Sequence, residues 1–188
     1  MTDRWSGYKW LPLKRRQLCW AHLIRDFRKL SECAEPVASL GTRLLELARR
    51  LFEWWHRVRD GTLARSTFRS YVGRVRRDMR VFLEAVSAQA NRRAAALSRG
   101  ILALEPAMWT FVRIPGVEPT NNAAERALRP AVLWRKSCFG SRSSAGHAFV
   151  ERMLTVVATL RQQGRNVLEF LREATVAKLA RRAAPALM

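Results

Sequence analysis

The residues best suited to chemistry lie in Pro119-Thr120-Asn121-Asn122-Ala123-Ala124-Glu125-Arg126-Ala127-Leu128-Arg129-Pro130. Asn121, Glu125 and Arg129 recur every four residues, so on a helix they share one face, with Asn122 close to it. A carboxylate beside a guanidinium and two amides can hold a divalent cation through the acid and phosphate oxygens through the Arg. The same spacing also describes an ordinary helix start. Asn122 as N-cap with Glu125 three residues on is a capping box, and Glu125–Arg129 is an i,i+4 ion pair. On the residues alone, both readings stand.

Other candidates carry less. Cys19-x-x-His22 with Cys33 offers zinc donors, but a fourth ligand at suitable spacing is missing. His22 has two further readings, a place near an active site or a structural role in the core. Three Cys in all is too sparse and odd a count for a disulfide framework and fits a reducing, cytoplasmic compartment. Gly140–Gly146, rich in Ser and carrying Arg142, could bind phosphate through backbone N–H groups. Trp54-Trp55 lies on an amphipathic segment and reads as core ahead of a base-stacking surface.

The elements that must position these residues are mostly helices. Val37, Leu40, Leu44, Leu47, Leu51, Trp54 and Val58 form one apolar seam, and Phe68, Val72, Val75, Met79, Phe82 and Val86 form a second. Asp60-Gly61-Thr62 divides them, and so short a link makes the two helices antiparallel. Leu97, Ile101 and Leu104 mark a third helix against the pair. Earlier, Arg16–Ala21 reads as a short strand and His22–Cys33 as a helix. Later, Asn121-Asn122 opens a helix that Pro130 ends or kinks. Phe149, Met153, Val156 and Leu160 lie on a helix that Gly164 ends, and Asn166 with Glu169 caps the last one.

Charge points to a polyanionic partner. The 188 residues carry 35 Lys and Arg against 15 Asp and Glu, a net +20, while 48% hydrophobic residues exclude a disordered basic tail. No run is long and apolar enough to cross a bilayer, so a membrane partner is not expected. Residues 65–99 hold nine Arg against Asp78 and Glu84. Arg74, Arg76, Arg77 and Arg80 are therefore candidate phosphate contacts.

Four blocks then combine: Asp3-Arg4-Trp5-Ser6-Gly7-Tyr8, Cys19-Trp20-Ala21-His22-Leu23-Ile24-Arg25-Asp26-Phe27, Asn121 to Pro130, and Arg135-Lys136-Ser137-Cys138-Phe139-Gly140-Ser141. In this order the sequence resembles the DDE-type transposases of bacterial insertion sequences, in particular the insertion sequence 66 type. The resemblance spans Asp3 to about Gly146. It implies a ribonuclease-H-like core in which three acids hold two divalent ions, usually Mg²⁺, for cutting and joining DNA phosphodiesters. By the motif match the second Asp is Asp3 and the Glu is Glu125, the metal ligands and catalytic acids. Arg126, Arg129, Arg135, Lys136 and Arg142 lie in the matching blocks and are the DNA contacts near the catalytic face.

The first Asp and the early core strands have no match in these residues. The expected fold is therefore mainly α: the C-terminal part of a ribonuclease-H-like α/β core with an all-helical insertion and the early core strands missing. Residues 1–34 are read as a remnant of that core, 35–112 as the helical insertion, and 113–188 as the final core helices and C-terminal segment. The expected function is that of a transposase fragment, encoded by a truncated or split gene, that binds insertion-sequence DNA and is inactive alone. The alternative is a non-catalytic helical protein that regulates by binding DNA, or by associating with full-length transposase or with itself.

Overall fold

The computed structural model describes residues 2–187. Two 3-10 turns, Ser6–Tyr8 and Leu13–Arg15, precede helix α1 (Trp20–Ser31). The antiparallel pair α2 (Val37–Arg59) and α3 (Arg65–Ser87) follows, then α4 (Arg92–Leu102) and the short α5 (Thr110–Arg113). Three helices complete the chain: α6 (Asn122–Ser137), α7 (Ser144–Gln162) and α8 (Val167–Leu179).

The mainly α character is as expected, but the described residues form no strand, and an α/β core is not among them. What stands in place of the expected strand is a single parallel bridge between Thr2 and Leu18. The Thr2 N–H donates to the Gln17 carbonyl and the Cys19 N–H to the Thr2 carbonyl, each at 2.9 Å. The bridge does not grow into a ladder for two local reasons. The Leu18 N–H is taken by the Ala107 carbonyl at 2.8 Å, from a turn instead of a strand, and helix α1 begins only two residues later.

The α-hairpin is built much as its seams predict, with one shift. Val37, Leu44, Leu47 and Leu51 are buried on α2, but deeper along the helix Trp55 is buried and Trp54 is not. A 3,4 alternation averages 3.5 residues while the helix turns every 3.6, so over five turns the buried face slides by about half a residue, enough to favour the neighbouring position. On α3 the same slide makes Leu83 a core residue and leaves Phe82 half-buried. Gly41 sets the crossing of α1 over α2. A Cβ there would lie 2.3 Å from the Ser31 amide nitrogen, so the backbones touch where no larger residue fits. Helix α4 docks on α3 through buried Ser98, whose hydroxyl donates to the Leu83 carbonyl at 2.6 Å.

Residues 105–113 wedge between the entry segment and the hairpin. Trp20 is fully buried, with ring centroids 5.3 Å from Trp109, 6.0 Å from Phe52 and 6.2 Å from Phe111. Its indole N–H donates to the Met108 carbonyl at 2.9 Å. Gln17 accepts the Phe111 N–H at 2.7 Å, and the Thr110 hydroxyl donates to the Arg16 carbonyl at 2.6 Å. Each buried polar group here has a partner, which is what lets a loop-rich segment enter the core.

The chain divides into two compact units, Met1–Asn122 and Ala123–Met188. In the first, α1 packs on α2, so residues 1–34 and the hairpin share one hydrophobic core. In the second, α7 packs on α8 around buried Leu160 and Phe170. Ser143 caps α7 by accepting the Gly146 N–H at 3.0 Å, and Asn166 caps α8 by accepting the Glu169 N–H at 3.2 Å, as its spacing predicts. Gly164, at φ +67°, takes the left-handed conformation just past α7. Pro130 does not end α6, which runs on to Ser137. Loss of one N–H is tolerable on a helix with no buried residue of its own.

Candidate nucleic-acid interface

Asp3 is half-buried and held within the first unit by two near neighbours. One carboxylate oxygen accepts the Trp5 N–H at 2.9 Å, an Asx turn that fixes the side chain against its own backbone. The Asp3 carbonyl accepts from the Arg16 guanidinium at 2.6 Å, and Arg16 also donates to the Thr2 hydroxyl at 2.5 Å. Arg16 is buried, and that burial pushes its pKa down, against the opposing pull of Asp3 and Tyr8. It stays cationic, because a guanidinium does not lose its proton in a protein. On the other side, Arg4 forms a 2.5 Å ion pair with Asp26 of α1, a buried acid that Lys29 also reaches at 3.1 Å.

This scaffold was only partly visible in the residues. Asp26 lies inside the Cys19–Phe27 block, but nothing marks it as the anchor of Arg4. Arg16 was missed altogether. A cation just ahead of the apolar run Leu18-Cys19-Trp20-Ala21 was the available signal, since such a residue is buried only with partners.

Glu125 lies in the first turn of α6, with Arg126 and Arg129 following and Arg135 and Lys136 in the last turn. The helix begins at Asn122, so Asn121 occupies the flanking cap position expected of Asn122. Glu125, Arg126, Arg129, Arg135, Lys136 and Arg142 are all exposed. Arg142 lies in the short connection between α6 and α7, where Phe139 and Gly140 both adopt positive φ. The loop is braced by His147, whose ring nitrogen lies 3.0 Å from the Ser141 carbonyl oxygen. The second unit thus presents exposed cations around α6 and just ahead of α7, with backbone amides of a capped helix terminus beside Arg142.

The α3 cations divide by partner. Arg76 forms a bidentate pair with buried Glu105 at 2.6 and 2.8 Å, and the Trp109 indole N–H donates to the same carboxylate at 2.6 Å. That geometry ties α3 to the 105–113 segment and commits the Arg76 guanidinium to Glu105, although the Arg76 side chain itself stays exposed. Arg80 lies 3.6 Å from Glu84, an exposed i,i+4 pair worth little in water. Arg74 and Arg77 are exposed, and among the described residues their guanidiniums engage no acid or carbonyl. Arg65 and Arg69 donate to the Phe111, Ile114, Val112 and Arg113 carbonyls, closing the end of α5.

Cys33 is excluded as a zinc partner of Cys19 and His22. Cys19 precedes α1 and Cys33 follows it, so a helix about 18 Å long separates them. The Cys33 thiol donates instead to the Lys29 carbonyl at 3.3 Å. No helix among the described residues is long and apolar enough to cross a membrane.

Over residues 1–148 the chain matches the family model described as Transposase IS66 family. No curated protein and no solved structure matches it.

Proposed function

Because this chain belongs to the IS66 family of transposases, we propose that it binds DNA mainly through phosphates and contributes two acids to metal-dependent strand cleavage and transfer. The observation that carries the DNA reading is the group of exposed cations Arg126, Arg129, Arg135, Lys136 and Arg142. All five are exposed and lie on one helix and the loop that follows it. Guanidinium groups match phosphate oxygens bidentately, and such contacts position a duplex without reading its sequence. Arg74 and Arg77 on α3 extend the same chemistry to the first unit, whereas Arg76 serves Glu105.

Asp3 and Glu125 are the acids that the family pattern assigns to the metal site of a ribonuclease-H-like catalytic core. Hard carboxylate oxygens suit Mg²⁺, and Asp3 keeps one oxygen beyond the one its Asx turn uses. When bound, paired Mg²⁺ ions activate the attacking oxygen and stabilise the leaving one. Arg16 and Arg4 keep the Asp3 backbone in place, so Asp3 presents its carboxylate from a fixed position. These residues supply two of the three acids of the family pattern. By themselves, in the cytoplasm where the DNA is, they bind without cutting.

Supercoiled plasmid incubated with the purified chain and Mg²⁺ tests this. The expected result is a salt-sensitive complex with the plasmid still supercoiled. Mg²⁺-dependent nicking that disappears in Glu125→Gln would contradict it and show a complete site in these residues.

A further inference from the structure

One aromatic pair is left over from the core of the α-hairpin. Trp54 of α2 and Tyr71 of α3 pack ring to ring, centroids 5.0 Å apart and planes tilted by 48°. Trp54 is only half-buried and Tyr71 is 43% exposed. The hairpin does not depend on them for its centre. Trp55, the next residue, fills that place against Phe68 and Phe111 and is 6% exposed.

The cations around this pair differ from most of those on the hairpin. Arg50 and Arg57 lie one turn before and one turn after Trp54, and Arg74 lies one turn after Tyr71, so all three share its face. All three are exposed, and among the described residues no carboxylate or carbonyl engages any of their guanidiniums. Elsewhere on the hairpin Arg77 is likewise unengaged, but the other Arg residues have partners: Arg43 with Glu46, Arg49 with Glu53, Arg59 with Asp60, Arg76 with Glu105, Arg80 with Glu84, and Arg65 and Arg69 with backbone carbonyls. The acids at this spacing are Glu53, which Arg49 engages, and half-buried Asp78, one turn beyond Arg74.

We propose that Trp54 and Tyr71 form a stacking platform for an unpaired base of DNA, with Arg50, Arg57 and Arg74 holding the phosphates on either side. Exposed aromatic rings interleaved with unengaged cations are the two components of single-strand recognition. The ring takes a base face of any sequence, and the cations follow the backbone. A duplex cannot use such a platform, because its base faces are already stacked on one another. The proposal rests on the DNA reading above and adds a strand preference to one particular face.

The test uses the full chain and a short single-stranded deoxyoligonucleotide carrying 2-aminopurine, with its duplex as the comparison, at one fixed low salt concentration. The expected result is quenching of 2-aminopurine on binding the single strand. Tyr71→Ala should weaken that binding about tenfold and leave duplex binding within about twofold, while Tyr71→Phe binds as the parent does. Should Tyr71→Ala melt early, Arg50→Gln combined with Arg57→Gln, both at exposed positions, should lower single-strand affinity with no loss of quenching per bound strand. Single-strand binding without quenching, or single-strand affinity unchanged in Tyr71→Ala, would overturn the platform while leaving duplex binding intact. Failure to bind either form would overturn the DNA reading and the platform together.

Discussion

Replacing five cations of the second unit together (Arg126→Gln, Arg129→Gln, Arg135→Gln, Lys136→Gln and Arg142→Gln) is expected to weaken duplex DNA binding on the order of a thousandfold at ~0.1 M salt. Each cation that meets a phosphate releases a condensed counterion, so its contribution depends on salt and adds to those of its neighbours. All five side chains are exposed and α6 buries none of its residues, so substitution by Gln should leave the melting temperature nearly unchanged. Fluorescence anisotropy with labelled duplex measures the loss, and circular dichroism checks the fold. A loss of only a few-fold would move the main contact to the first unit, where Arg74, Arg77, Arg92 and Arg93 are exposed.

Trp20→Ala should cost the first unit about 3–5 kcal/mol, read as a drop in the urea midpoint. The indole is fully buried between α1, α2 and residues 105–113, and edge-to-face contacts with three rings leave with it. The Met108 carbonyl also loses its 2.9 Å donor and keeps only the longer bond from Gln17 at 3.1 Å. A domain of ordinary stability holds about 5–15 kcal/mol in total, so this one change should bring the unit close to unfolding at 37 °C. The setting of Asp3 would go with it, because Cys19, the residue before Trp20, makes one of the two backbone bonds to Thr2 beside Asp3. A cost below about 1 kcal/mol would mean that the wedge of residues 105–113 is not what holds the entry segment.

The helices were legible because their signal is periodic. Both hairpin seams, the Asp60-Gly61-Thr62 break and the Asn166 cap are local patterns, and local geometry decides them. What the pattern could not show is which of two adjacent residues ends up inside. Trp54 and Trp55 differ by one residue, and the slow drift of a 3.6-residue turn against a 3.5-residue seam makes that choice. The fate of Arg76 was hidden for another reason. Its partner Glu105 lies 29 positions away on a segment with no periodicity, so a dense run of Arg looked uniform when it was not. The strand expected at Arg16–Ala21 shows the same limit. An extended run becomes a strand only when a neighbour pairs along its length, and here Ala107 caps it after one bridge. Asp3 and Glu125 are assigned to the proposed site by their place in motifs alone. The brace around Asp3, formed by Arg16, Arg4 and Asp26, appears only once the chain is folded.

The most direct test of a phosphate-binding transposase chain is a salt titration of its affinity for duplex DNA, repeated on two unrelated sequences. Log affinity should fall linearly with log salt, with a slope of about −5 or steeper, and the two sequences should differ by less than about tenfold. Affinity that barely changes with salt, or no binding even at the lowest salt, would contradict the account.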